Sequence, residues 1–200
     1  VKTEFSLYLD PDIQPNKDII KIFLEKTKKI ENFSILAPKE QNYNYGKDQY
    51  IKHNKNNNLH KMKFITGCAL LFNMKALNKT GYFDENIFLY YEEHDLYHRC
   101  LKLGLDIYLI DEAKYIHAGT ASTDPVHNHE IYLNRNWHYC WSKFYFFKKN
   151  YGYFYGIKKT IPNFLRALRK YIFYKITRDK KNSSLHMAEL QGLIASYFLR

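Results

Sequence analysis

An α/β fold with a parallel strand pair is predicted for this chain, and three observations carry the prediction. The first forty residues read strand–helix–strand, a helix near residues 92–103 is followed by further strands, and the composition suits a packed core. Of the 200 residues, 46% are hydrophobic, 26% charged and 18% aromatic, which excludes a wholly disordered chain.

The elements follow in order. Residues 5–9 (FSLYL) are a short apolar run halted at Asp10-Pro-Asp12, a buried strand ended by a proline turn. Pro15 and Asn16 open a helix whose Ile19, Ile20, Phe23, Leu24 and Thr27 recur at three-and-four spacing. Residues 33–37 (FSILA) form a second strand, closed by Pro38. Residues 40–62 are polar and lack a period, as expected of a loop. Residues 64–72 (FITGCALLF) read as a strand interrupted at Gly67, a mark of a bulge or a close ligand approach. A helix over 74–79 ends at Gly81, and another over about 92–103 ends at Gly104, both with the glycine expected past a helix end. Residues 105–110 and 114–117 read as two strands, and from Asn128 onward the pattern is helical, with breaks at 150–152 and 179–184. Pro162 implies a helix start or a kink.

Charge divides the chain unevenly. Residues 1–134 hold 17 basic and 18 acidic side chains, whereas 135–181 hold 13 basic side chains and one acidic, Asp179. The expected organisation is therefore a neutral body over 1–134 and a basic, aromatic helical tail over 135–200. Three distant cysteines, Cys68, Cys100 and Cys140, argue against a disulfide framework or a thiolate zinc site and fit a reducing compartment. No apolar run is long enough to span a bilayer, and the opening Val-Lys-Thr-Glu is no signal peptide.

Two stretches carry chemistry. Asp10 and Asp12, on a turn at the end of a hydrophobic strand, can hold a divalent cation and leave positions for phosphate oxygens; the same residues also make an ordinary turn. Glu92, Glu93 and Asp95 open a helix, where the dipole favours negative charge, and Asp95 stands four residues before Arg99, a good ion-pair spacing. Phe88, Tyr90 and Tyr91 on the upstream side could desolvate a carboxylate and tune it as a general base. His94 and His98 share a helix face without the glutamate of a metalloprotease motif and read as solvated or core-rim residues, while His127 and His129 lie in a polar loop.

FITGCALLF (64–72), GYFDE (81–85), FLYYEEHDLYHR (88–99), GLDIY (104–108) and YIHAGTAS (115–122), in that order and spacing, resemble the inverting family 2 glycosyltransferases, most of all their rhamnosyltransferase-type members. The resemblance covers about residues 3–151. It implies a GT-A fold and transfer of a sugar from a nucleotide-diphosphate donor to a glycan or lipid-linked acceptor in cell-surface polysaccharide synthesis. By position, Asp10 and Asp12 match the family's D-x-D element, with Asp12 the direct metal ligand, and His117 matches a histidine that completes the site for Mg²⁺ or Mn²⁺. Glu92 and Glu93 match the Glu-Asp pair whose second member is the catalytic base, so Glu93 stands where aspartate is expected, one methylene longer. Thr66 and Gly67 match a strand lining the acceptor side. The family's N-terminal βαβ segment precedes the D-x-D strand. The resemblance therefore implies that these residues are the C-terminal part of a longer enzyme, inactive alone. The alternative is a non-catalytic transferase domain acting as a membrane-associated interaction module.

The tail joins Lys and Arg to Trp, Tyr, Phe and Leu at helical spacing, with Ile161, Phe164, Leu165, Leu168, Ile172 and Phe173 in one series. Such helices favour an anionic membrane surface, which predicts a cytoplasmic protein peripheral to the inner face of the cell membrane. The alternative is a helix packed on the catalytic domain with solvated lysines. No RNA-recognition, KH or zinc-finger signature accompanies the basic residues, so nucleic acid is not an expected partner.

Overall fold

Alternating burial along three central strands organises the first part of the chain. A computed structural model describes residues 3–52, 58–117 and 127–198, and divides the chain into two units, 1–83 with 93–122 and 84–92 with 123–200.

Among the described residues, the first unit is built on a seven-stranded mixed sheet in the order β1-β6-β3-β7-β5-β4, with β2 also on β7. The strands are β1 (Phe5–Leu9), β2 (Ile13–Pro15), β3 (Phe33–Glu40), β4 (Tyr50–Lys52), β5 (Leu59–Met62), β6 (Ala69–Asn73) and β7 (Asp106–His117). Ile35, Ala37, Leu70, Phe72, Ile107 and Leu109 point to one face and pack with Met74 and Leu77 of α2 (Met74–Thr80) and Leu96, Tyr97 and Cys100 of α3 (Glu92–Lys102). The intervening Leu36, Leu71 and Ile110 point to the other face, against Ile19 and Phe23 of α1 (Ile19–Thr27). Each Ile, Leu, Met or Phe among them contributes about 1.5–3 kcal/mol by leaving water, and the period of two makes both faces apolar, so the sheet is covered on both sides.

Strand pairing departs from the expectation. β1 and β3 are not hydrogen-bonded neighbours, because β6 lies between them, antiparallel to each. The parallel pair is β3 with β7, Phe33 opposite Asp106 to Glu40 opposite Tyr115. β1 is an edge strand with Tyr8 and Leu9 exposed rather than a buried one. The two predicted strands after Gly104 are one twelve-residue strand, whose length lets β5 and β2 share the edge opposite β3. The expected strand over 64–72 is ordered as a ladder only from Ala69.

Nor are the described residues of 40–62 all loop. Buried His60 and Met62 place β5 in the sheet because His60 Nε2 meets Asp111 at 2.9 Å. α2 and α3 end as expected, at Gly81 and Gly104 in the left-handed region (φ 77° and 72°). Of the α1 stripe, only Ile19 and Phe23 are buried; Ile20 and Leu24 face outward.

The second unit is a bundle of α4 (Asn128–Tyr151), α5 (Tyr153–Ile176) and α6 (Lys180–Tyr197). Gly152 (φ 94°) separates the first two helices, and the Asp179 side chain caps the third at the Asn182 N–H, 3.0 Å. Pro162 neither starts nor ends α5 but lies inside it, on the exposed side. Gly192 of α6 brings its backbone against the Trp137 carbonyl of α4, a contact with no room for a Cβ.

Residues 84–92 are held to this bundle by Asp84, which accepts from Lys149 Nζ at 2.8 Å, Tyr145 Oη at 3.1 Å and its own loop's Asn86 N–H at 2.9 Å. Burial pushes the Asp84 carboxyl up, but the bonds from Lys149 and Asn86 outweigh it and hold the group down at about 2, from an ordinary 3.8. A depressed carboxyl stabilises above its unfolded pKa and loses that contribution as pH falls through the folded value. Asp84→Asn is therefore expected to cost about 1–2 kcal/mol at neutral pH, and the gap in melting temperature from wild type to close between about pH 4 and pH 2. Thermal melts across that range test it; a gap independent of pH would show that the charge plays no part.

Candidate functional site

The candidate residues of the first unit gather where β1 turns into β2. Asp10 and Asp12 lie in that turn, held by the Asp10 N–H donating to the Cys68 carbonyl at 2.8 Å. Strand alternation puts Tyr8 on the side of Asp10, and its hydroxyl donates to Asp10 Oδ1 at 2.6 Å. Pairing of β2 with the end of β7 sets Ile13 opposite His117, which brings Asp12 Oδ2 to 3.3 Å from His117 Nε2. Both side chains are partly open to solvent, 22% and 30% exposed.

Glu93 comes from the first turn of α3 and rests on Gly67. A Cβ built on Gly67 would overlap the Glu93 carboxylate and stand 2.8 Å from its Cγ and 2.7 Å from its Cδ. Only glycine leaves that space, so the suspected close approach at Gly67 is to a side chain of the same unit. The Tyr8 phenol is raised well above its ordinary value, first by its bond to Asp10, then by burial, then by the charges of Asp10 and Glu93. Tyr8 thus stands within the fields of both the D-x-D turn and the proposed base. Tyr97, wholly buried, is raised chiefly by burial and then by Glu93. The Cys68 thiol is pushed up to about 12, by burial first and by Asp10 second.

Thr66 opens onto a polar cluster. Its Oγ1 lies 3.2 Å from Tyr115 Oη, which donates to Glu40 Oε2 at 3.3 Å, while the Glu40 N–H donates to Tyr45 Oη at 3.1 Å. Burial pushes the Tyr45 phenol up to about 12, so it stays a neutral hydroxyl at neutral pH. Asp95 has a different setting: fully buried, it accepts from Arg99 Nε at 2.9 Å, and the Arg99 guanidinium reaches the carbonyls of Thr80, Gly81 and Tyr82. That is the predicted ion pair, with an added task of closing the end of α2. His94 stacks on Phe64, and burial lowers its pKa.

The remaining candidates fall in the second unit. Glu92 has its Oε2 buried without a hydrogen-bond partner among the described residues, and burial raises its carboxyl. Tyr90 and Tyr91, just before it, both sit in the left-handed region (φ 63° and 68°), which costs a bulky residue on the order of 1–2 kcal/mol each. Tyr91 packs on Phe146 and Phe147, and the Leu89 carbonyl accepts from Ser142 Oγ at 2.8 Å, contacts that offset this strain. Phe88 is 79% exposed and lies on His138, so it does not enclose Glu92. His127 precedes α4, and His129 meets Ser184 within the bundle. Residues 118–126, which include part of the last resembling stretch, lie outside the described residues.

For a divalent cation, Asp12 and His117 offer two donor atoms at a spacing that one ion can bridge. No group of three or more His, Cys, Asp or Glu side chains assembles as a metal site among the described residues. Two protein donors still suit Mg²⁺ or Mn²⁺ in a phosphate-handling site, where substrate oxygens and water fill the other positions. Tyr8, Glu40, Tyr45, Tyr97 and Tyr115 are the members of the cluster that the sequence did not single out. Tyr8 had a local signal, its place two residues before Asp10, and so did Tyr97, four residues after Glu93 on α3.

No family model matches the chain, and no curated protein does. Among solved structures, S. aureus TarS 1-349 is similar with a TM-score of 0.45 and 14% identity, over 100% of this chain and 69% of that one. The same protein in complex with UDP-GlcNAc is similar with a TM-score of 0.42 and 13% identity, over 100% and 70%. Superpositions at this level transfer no residue role.

Proposed function

We propose that the first unit carries the transfer site of an inverting glycosyltransferase that moves a sugar from a nucleotide-diphosphate donor to a glycan or lipid-linked acceptor. One observation above all supports the reading: Glu93 is seated on Gly67 near Tyr8, whose hydroxyl is bonded to Asp10 in the same turn as Asp12. A proton acceptor and a donor-side acidic turn thus share one end of the sheet, as a single displacement requires. The motif resemblance supplies the reaction class and the rhamnosyl- or other hexosyl-type donor.

In this mechanism the Glu93 carboxylate takes the proton of an acceptor hydroxyl held on the Thr66–Gly67 side. The freed oxygen forms a bond to the anomeric carbon while that carbon's bond to the diphosphate oxygen breaks on the opposite face, and the diphosphate leaves with the electron pair. Configuration inverts because both events occur in line. Tyr8 holds Asp10 in place, leaving Asp12 and His117 to face the diphosphate. A divalent cation on Asp12 and His117 would neutralise charge developing on the leaving group. Glu93 in place of aspartate is accommodated because Gly67 leaves room for the extra methylene.

Full-length protein supplied with nucleotide-diphosphate sugars and Mg²⁺ or Mn²⁺ should release nucleoside diphosphate and form product of inverted anomeric configuration. Asp12→Asn should reduce release roughly 10–100-fold. Retained configuration contradicts the mechanism. Absence of release with every donor favours the second reading, a non-catalytic transferase domain.

A further inference from the structure

The helix α5 is apolar on two opposite faces. Gly156, Thr160 and Ala167 are buried and turn it toward the bundle. At about 100° per residue, Phe154, Ile161, Leu165, Ile172 and Ile176 fall on one stripe roughly opposite that buried face. All five are exposed: Phe154 by 86%, Leu165 by 58% and Ile176 by 76%. A bundle helix with water on its outer side places charges there. Here Lys158 and Arg169 lie along the flank of the stripe, and Lys159, Lys170 and Lys175 are exposed beyond it. The one acidic residue of 135–181, Asp179, is engaged in capping α6.

We propose that this face of α5 docks in the plane of an anionic lipid bilayer, the apolar stripe entering the headgroup boundary and the lysines and arginines meeting lipid phosphates. Charge complementarity selects this occupant. A second copy of the chain on the same face would oppose one cationic flank with another, whereas an anionic leaflet attracts each Lys or Arg and accepts the apolar side chains between them. Long cationic side chains reach past the apolar boundary to the phosphates. The helix spans about 36 Å along the surface. Among the described residues, no helix is long and apolar enough to cross a membrane, so the stripe lies on the bilayer. The inference stands on α5 alone and holds whether or not the first unit transfers sugar.

Flotation of the full-length protein with vesicles of phosphatidylcholine alone, or of phosphatidylcholine with one third phosphatidylglycerol, tests it. Wild type is expected to bind the anionic vesicles at least about tenfold more tightly than the neutral ones, and to weaken as salt rises. Leu165→Glu with Ile172→Glu, and separately Lys158→Glu with Arg169→Glu, should each lower that binding about tenfold or more. Circular dichroism and the rate of nucleoside diphosphate release in vesicle-free solution should stay at wild-type values, since these side chains face outward. Equal binding to both vesicles, binding unaltered in both variants, or a dimer that the Leu165→Glu/Ile172→Glu protein fails to form would each overturn the proposal.

Discussion

Gly67→Ala is expected to lower the transfer rate roughly 100-fold while leaving the fold intact. The added methyl would occupy the space in which the Glu93 carboxylate rests, meeting Cγ and Cδ inside van der Waals contact. What must move is a flexible side chain rather than backbone, so the carboxylate swings away and the sheet stays. The Gly67 backbone itself is outside the left-handed region, which lets alanine adopt it. The melting temperature should therefore hold within about 2 °C of wild type, and donor affinity should hold as well, with the loss confined to kcat. Combining Gly67→Ala with Glu93→Asp shortens the acid by the methylene that Gly67 accommodates, and part of the rate should return. A Gly67→Ala enzyme of normal kcat would mean that Glu93 need not rest there to act.

The largest stability effect is expected at Arg99. Its guanidinium answers the fully buried Asp95 and at the same time satisfies three carbonyls at the end of α2. Arg99→Ala takes a paired guanidinium away from a buried charge, a loss of about 3–5 kcal/mol, which for a chain of this size lowers the melting temperature by roughly 10 °C. Arg99→Lys should recover little of it, because an ammonium cannot present the planar fork that reaches both the carboxylate and the carbonyls. Arg99→Met with Asp95→Leu, which removes both charges, should be less damaging than Arg99→Ala alone. Chemical denaturation of the three variants decides; equal midpoints would show that the pair is not a buried electrostatic lock.

How much of this was legible in the residues depends on whether the signal was local. The ends of α2 and α3 were, because Gly81 and Gly104 mark left-handed positions, and so was the run of three helices after Asn128, broken at Gly152. Strand neighbours were not. Nothing within residues 5–37 announces that β6, some thirty residues later, fills the gap between β1 and β3. Pairing is set by which apolar faces meet, and the alternation of Leu70, Leu71 and Phe72 serves any neighbour equally. β4 and β5 carry no such signal because three or four residues cannot show a period, and because the partner that His60 meets, Asp111, is fifty-one positions away.

The candidate site divides the same way. Asp10, Asp12 and Glu93 stood out as carboxylates at the ends of apolar elements, and Gly67 as a break in an apolar run. Tyr115 resembles an ordinary core aromatic and Glu40 an ordinary strand end, and only tertiary contact joins them to Thr66, whereas Tyr97 follows Glu93 by four residues on α3. Conversely, Asp95 looked like a third acid of the helix start, and its burial with Arg99 gives it a part in holding α2. The strained pair Tyr90 and Tyr91 had no sequence warning, since tyrosine carries no preference for a left-handed backbone.

The role proposed for Glu93 is to accept the acceptor's proton. Single-turnover transfer by full-length Glu93→Gln, alongside calorimetric titration of the donor, tests it most directly. The rate is expected to fall roughly 10²–10⁴-fold at unchanged donor affinity, because the amide keeps the size of the side chain but accepts no proton. A Glu93→Gln protein that transfers sugar within about twofold of wild type would contradict it.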